Sequence, residues 1–253
     1  MAYKIETISV YEAFEQHCAC PLCALRDKLE ADYTEYYLGN AAMLPEIRVE
    51  VNKNGFCGRH LDMLYEAGNR LPLALQMHTM LSEHNKRSAK AMRDYAAKCA
   101  SRSGKAAQAS LDRLEQTLRE NEHSCLVCRS TRDNMERYIQ TAVRLYFDES
   151  RFRELYENCS GFCNGHLVQL LRSAEKVCSR AENERFVNRT LLLQQQSREK
   201  LAGELEHFTK MFDYRSRGQE WGESRTAVAR TAQLFGGDTR AERSGKSGGK
   251  EGK

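Results

Sequence analysis

A chain of 253 residues, 41% hydrophobic and 29% charged, has enough apolar material to bury a core, and a formal charge of +4 is too small to mark a nucleic-acid surface. The last 18 residues carry five Lys or Arg against three Asp or Glu, so the body is nearly balanced and has no basic stripe for nucleic acid. No stretch approaches the roughly 18 apolar residues of a membrane helix, and Met1 to Phe14 lacks the apolar run of a signal peptide, so a cytoplasmic location with no membrane contact is expected.

Only three prolines interrupt a sequence rich in strong helix formers, which predicts an all-α fold. A short amphipathic piece with Val10 and Phe14 leads into His17-Cys18-Ala19-Cys20-Pro21-Leu22-Cys23. Pro21 is suited to a first helical position, where its missing N–H costs nothing. Leu25, Leu29, Tyr33, Tyr36 and Tyr37 then recur at helical spacing as far as Leu38, where Gly39-Asn40 reads as a stop.

After Pro45 a second amphipathic piece (Ile47, Val49, Val51) runs to the turn signal Asn52-Lys53-Asn54-Gly55. A helix opens on Cys57-Gly58-Arg59-His60 and runs to Gly68. A longer helix from about Pro72 to Cys99 is expected to turn Leu73, Met77, Met80, Leu81, His84, Ala91, Met92 and Tyr95 inward. Its Lys86, Arg87, Lys90 and Arg93 read as a solvated face.

Residues 100–109 lose the periodic pattern and are read as a linker between repeats, one that its alanines could keep partly helical. Leu111, Leu114 and Leu118 restore it and lead to Cys125-Leu126-Val127-Cys128, followed by a helix with Met135, Tyr138, Ile139, Ala142, Val143 and Tyr146. Phe152 and Leu155 precede Gly161 and a second Cys-x2-His helix. A final long helix, about Ala181 to Phe212, carries a seam of Val187, Leu191, Leu201, Leu205, Phe208 and Phe212 that could pack on the earlier long helix or on a second subunit. Trp221 is expected to pin a short helix ending near Phe235 to the body, and glycine, serine and charge from Gly236 onward predict disorder.

The chemistry lies in a motif written twice. Gly55-Phe56-Cys57-Gly58-Arg59-His60-Leu61 recurs 106 positions later as Gly161-Phe162-Cys163-Asn164-Gly165-His166-Leu167. Each copy follows a Cys-x2-Cys: Cys20 and Cys23 before the first, Cys125 and Cys128 before the second. Read by nearest spacing, these form two Cys3His sets, Cys20/Cys23/Cys57/His60 and Cys125/Cys128/Cys163/His166, each holding one zinc ion. The rival cofactor is an iron–sulfur cluster with one histidine ligand. A Cys3His shell is full, which points to structural rather than catalytic metal, and no catalytic residue is assigned.

Cys18 and Cys159 are candidate resolving thiols for a redox switch, or small buried residues. Cys99 and Cys178 are read as small buried residues. His17 and His123 are surface residues or supports for the first ligands. No Gly-x-Ser-x-Gly, Walker loop or dinucleotide fingerprint occurs.

With these motifs assembled, the chain resembles an uncharacterised bacterial family, a domain of unknown function, over nearly its whole length. The resemblance rests on Ala13-Phe14, Cys20-Pro21-Leu22-Cys23, Tyr36-Tyr37-Leu38-Gly39, Asn52-Lys53-Asn54-Gly55-Phe56-Cys57, Arg70-Leu71-Pro72-Leu73-Ala74-Leu75, Gly161-Phe162-Cys163 and Lys210-Met211-Phe212-Asp213-Tyr214-Arg215. It implies membership and carries no activity, substrate or catalytic residue.

The expected protein is therefore all-α, with two pseudo-repeats of about three helices, each clamped by its own metal site. The first spans residues 1–99 and the second 110–235, and a disordered tail covers 236–253. Its expected role is binding or scaffolding with an unidentified protein partner. A redox-responsive zinc protein, or an enzyme with an active site between the repeats, is the alternative.

Overall fold

The structure of the chain, a computed structural model, describes residues 5–16, 18–100, 104–120, 124–216 and 218–236. No strand occurs among them, as the scarcity of proline and the helical spacing require. The helices in chain order are α1 (Ile5–Glu15), α2 (Pro21–Leu38), α3 (Pro45–Asn54), α4 (Gly58–Glu66), α5 (Arg70–Ala100), α6 (Gly104–Leu118), α7 (Leu126–Asp148), α8 (Ser150–Glu157), α9 (Asn164–Val177), α10 (Arg180–Lys210) and α11 (Ala227–Leu234). Short 3₁₀ turns occupy Asn40–Met43, Tyr214–Ser216 and Gly222–Thr226.

Local chemistry explains most of these boundaries. Pro21 and Pro45 open α2 and α3, and Ser179 caps α10 by a reciprocal pair of bonds with Glu182. Gly55 and Gly161 have φ of 67° and 87°, a left-handed conformation that turns the chain sharply before each Phe-Cys. At Gly161 a Cβ would also lie 2.8 Å from Ser197 Oγ, so both conformation and space require glycine.

The described residues fall into two units, one drawn from Met1–Arg26 and Met135–Lys253, the other from Asp27–Asn134. These units do not follow the division expected at residues 100–109. Gly104–Leu118 is helix α6, which packs along α5 within the second unit. Its Lys-Ala-Ala-Gln-Ala start lacks an apolar stripe, but alanine needs none to favour helix. The expected tail from 237 onward, together with His17 and His123, lies outside the described residues.

The first unit is built on an aromatic core. Phe14, Phe152, Tyr156, Phe162, Phe186 and Tyr146 pack ring on ring, with centroids about 5 to 6 Å apart, the range of favourable edge and offset contacts. The Tyr156 hydroxyl is paired with Thr190 Oγ1 at 2.8 Å. Here the inward face of α10 is Phe186, Thr190 and Gln194, a different phase from the expected Val187–Leu191 seam. Polar side chains with bonding partners occupy two of those three positions, which an apolar pattern cannot reveal. Trp221 packs edge to face on Phe208 and Phe212 and ties the final segment to α10, as expected.

The second unit has an aliphatic and aromatic core of Tyr37, Leu38, Val51, Phe56, Leu64, Leu73, Leu126 and Val127. On α5 the buried positions are Pro72, Leu73, Gln76 and Ser88, whereas Met77, Leu81 and Met92 are exposed, correcting much of the expected stripe. Gln76 donates to the Tyr37 carbonyl, so a polar residue again holds a core position.

Candidate metal centres

All eight expected donors come together, but not in the expected sets. Cys20, Cys23, Cys163 and His166 form one group and Cys57, His60, Cys125 and Cys128 the other, and within each group the donor atoms lie inside 4.8 Å of one another. Each group takes its Cys-x2-Cys from one half of the sequence and its Cys-x2-His from the other. The first group lies wholly in the first unit, the second wholly in the second.

The path of the chain through its long and short helices accounts for this crossing. The helix leaving Cys23 is 18 residues long, about 27 Å, while α3 on the way to Cys57 spans 10 residues, about 15 Å. In the later half the contrast is 23 residues against 8, about 34 Å against about 12 Å. Helix α2 starts in the first unit and ends in the second, and α7 starts in the second and ends in the first, so each Cys-x2-Cys belongs to a different unit from the Cys-x2-His that follows it.

Every donor pair stands at a helix N-terminus. Cys57 and Cys163 are the residues before α4 and α9, in extended conformation, and their carbonyls accept the first helical bonds from Leu61 and Leu167 at 2.9 Å. His60 and His166 follow in the first turn, with Nδ1 3.2 Å from the preceding cysteine sulfur in both groups. Cys20 and Cys125 directly precede α2 and α7, whose first turns supply Cys23 and Cys128. Exposed N–H groups and the positive dipole end at these termini favour thiolate.

The spacing within each group fits a single tetrahedral ion. Metal–sulfur bonds of about 2.3 Å and a metal–nitrogen bond of about 2.0 Å set sulfur–sulfur edges of about 3.8 Å and sulfur–nitrogen edges of about 3.5 Å. The observed sulfur–sulfur separations are 3.7 Å for Cys23–Cys163 and 3.8 Å for Cys57–Cys128. Nitrogen–sulfur separations run from 3.2 to 3.6 Å. A disulfide would need about 2.05 Å.

Charge supports the same fit. Hydrogen bonds from Cys20 and Cys23 draw the Cys163 thiol down, while burial pushes Cys20 well above its ordinary value. In the second group partial desolvation of the Cys128 sulfur, in a residue that is exposed as a whole, raises that thiol, and the adjoining Cys125 charge raises it further. Three sulfurs so close cannot all ionise without a cation among them.

One important residue has no sequence signal. Glu30, buried on α2, brings Oε1 to 3.6 Å from His60 Nε2 and pairs with Arg59 on its other side. His60 Nε2 is buried with no hydrogen-bond partner at shorter range. Burial works to lower the His60 imidazole, but the Cys125 sulfur and the Glu30 carboxylate outweigh it and carry it up to about 10. A carboxylate behind a ligating imidazole orients the ring and raises its basicity.

The first unit holds its Phe-Cys segment differently. Gln194 accepts from Phe162 N–H at 2.9 Å and donates to Phe162 C=O at 3.0 Å, and Arg198 donates to Asn164 at 2.7 Å. In the second unit the corresponding segment is held by Leu126 N–H on Gly55 C=O at 3.2 Å and Ser124 Oγ on Asn54 C=O at 2.6 Å. Cys18 and Cys159 line a cavity of about 570 Å³ whose wall includes Cys20 and Cys163. Burial, with the neighbouring Cys18, pushes the Cys159 thiol up to about 12. Cys99 is exposed and Cys178 half-buried, not interior as expected, and both belong to neither group.

The chain belongs to DUF6062, a family of unknown function, whose family model matches residues 1–242. No curated protein and no solved structure matches it. Among the described residues, no helix is long and apolar enough to cross a membrane.

Proposed function

We propose that this member of the family is a structural zinc protein in which two ions, one per unit, fasten helix N-termini from opposite halves of the chain. The observation that carries the reading is the donor spacing, which matches the edges of a tetrahedron about one ion. A cluster of several irons would hold sulfurs on different metal atoms and so hold them farther apart, and such clusters are usually ligated by four cysteines. Borderline-soft zinc suits three thiolates and an imidazole.

Four protein donors complete the shell, so no coordination position remains for substrate or activated water. This favours a binding or scaffolding role in the cytoplasm, with a protein partner. Phe212, 73% exposed yet packed edge to face with Phe208 and Trp221, and Tyr214, 79% exposed, offer aromatic surface of the kind enriched at interfaces.

Metal analysis of protein purified without oxygen, beside its visible spectrum, tests the reading. About two zinc ions per chain and a colourless solution support it. Stoichiometric iron with a brown chromophore contradicts it. Affinity capture from the native host then tests the scaffolding role.

A further inference from the structure

The two donor groups differ in solvent access. In the first, all four residues are buried. In the second, His60 and Cys125 are buried, Cys57 is half-buried and Cys128 is exposed. The two accessible sulfurs are neighbours, 3.8 Å apart, and come from the starts of different helices. Cys125, by contrast, is 4% exposed and packed into the core with Leu126 and Val127. Bound thiolates remain nucleophilic, so exposure decides which of them an oxidant reaches.

We propose that Cys57 and Cys128 are an oxidative modification site, at which a hydroperoxide joins them in a disulfide and frees the metal of the second unit while the first unit keeps its own. The inference rests on the zinc reading given above. The Cys128 thiolate attacks one peroxide oxygen, the O–O bond breaks, and hydroxide leaves, giving a sulfenic acid. The Cys57 thiolate then attacks that sulfur, the S–S bond forms, and the S–O bond breaks with loss of a second hydroxide. The two sulfurs together give up two electrons and the peroxide accepts them, and two protons from solvent turn both hydroxides into water. Cys125 and His60 alone are too few donors to retain the ion. Closing 3.8 Å to the disulfide length of about 2.05 Å needs a shift of about 2 Å, within reach of side-chain rotation at a released helix start.

The test uses the intact, metal-loaded chain. Zinc is counted first, then hydrogen peroxide is added in graded amounts while a metallochromic dye reports free zinc and peptide mass spectrometry maps linked cysteines. The expected result is release of one of the two ions, appearance of a Cys57–Cys128 link in step with it, and recovery of both on adding dithiothreitol and zinc. A Cys18→Ser/Cys159→Ser variant, which alters no donor, should behave the same. Loss of both ions together, a Cys125–Cys128 link, a first link in the other group or no link at all overturns the proposal and leaves the zinc reading standing. Protein that holds no zinc at the outset overturns both.

Discussion

The two metal groups use the same four donor types at the same helix positions, yet their surroundings share little. In the first unit all four donors are buried beside an aromatic core, and Gln194 of α10 grips the Phe162 backbone. In the second, Cys128 is exposed and Cys57 half-buried, a backbone bond holds Gly55, and a buried carboxylate stands behind the histidine. Donor identity thus sets which ion fits. The shell around the donors sets how tightly it is kept and what can reach it.

The largest effect expected from this contrast concerns metal removal. Structural zinc contributes roughly 10 to 16 kcal/mol of apparent binding free energy, against roughly 5 to 15 kcal/mol for the net stability of a domain, so a unit stripped of its ion should unfold. A chelator at neutral pH should take the second unit's ion first, seen as two phases of zinc release with helical signal lost in step. A single phase would erase the distinction between the units.

Next in size is the core beneath each group. Phe162→Ala should destabilise the first unit by about 3 to 5 kcal/mol, and Phe56→Ala should act similarly on the second, each read from denaturant melts of the metal-loaded protein. Gln194→Leu leaves the Phe162 N–H and C=O without partners and should cost about 1 to 3 kcal/mol in the first unit alone. Retention of full stability would show that the glutamine clamp is dispensable.

The smallest effect is the most local. Glu30→Gln should weaken zinc in the second unit by roughly 10- to 100-fold, through loss of the carboxylate that orients His60, with no change in the first. Competition titration with a chelating dye would show one affinity moving and the other fixed. Equal shifts in both would remove Glu30 from the site.

How legible was this in the sequence? The proline and glycine signals at Pro21, Gly39 and Gly55 placed the ends of α2 and the start of the Cys-x2-His helices well, because those residues act through their own backbone. The eight donors were legible by type and spacing. Their grouping was not, because closing a longer loop costs little. Going from a separation of 34 positions (Cys23 to Cys57) to one of 140 (Cys23 to Cys163) is two doublings, about 1.2 kcal/mol, which the long helices that carry the chain from one unit to the other easily override. Nor could a pattern of apolar residues reveal Gln76, Ser88, Thr190 and Gln194 as interior, or Glu30 as the partner of a histidine far along the chain. Buried polar residues are defined by what they meet, and sequence does not say what that is.

The crossing of the donor sets can be tested directly by counting zinc in two double variants. Cys20→Ser/Cys163→Ser removes donors of one group from opposite ends of the sequence, and Cys20→Ser/Cys57→Ser removes one donor from each group. The first variant should retain one ion per chain and the second none. The reverse, with one ion kept by Cys20→Ser/Cys57→Ser and none by Cys20→Ser/Cys163→Ser, would contradict the crossed arrangement.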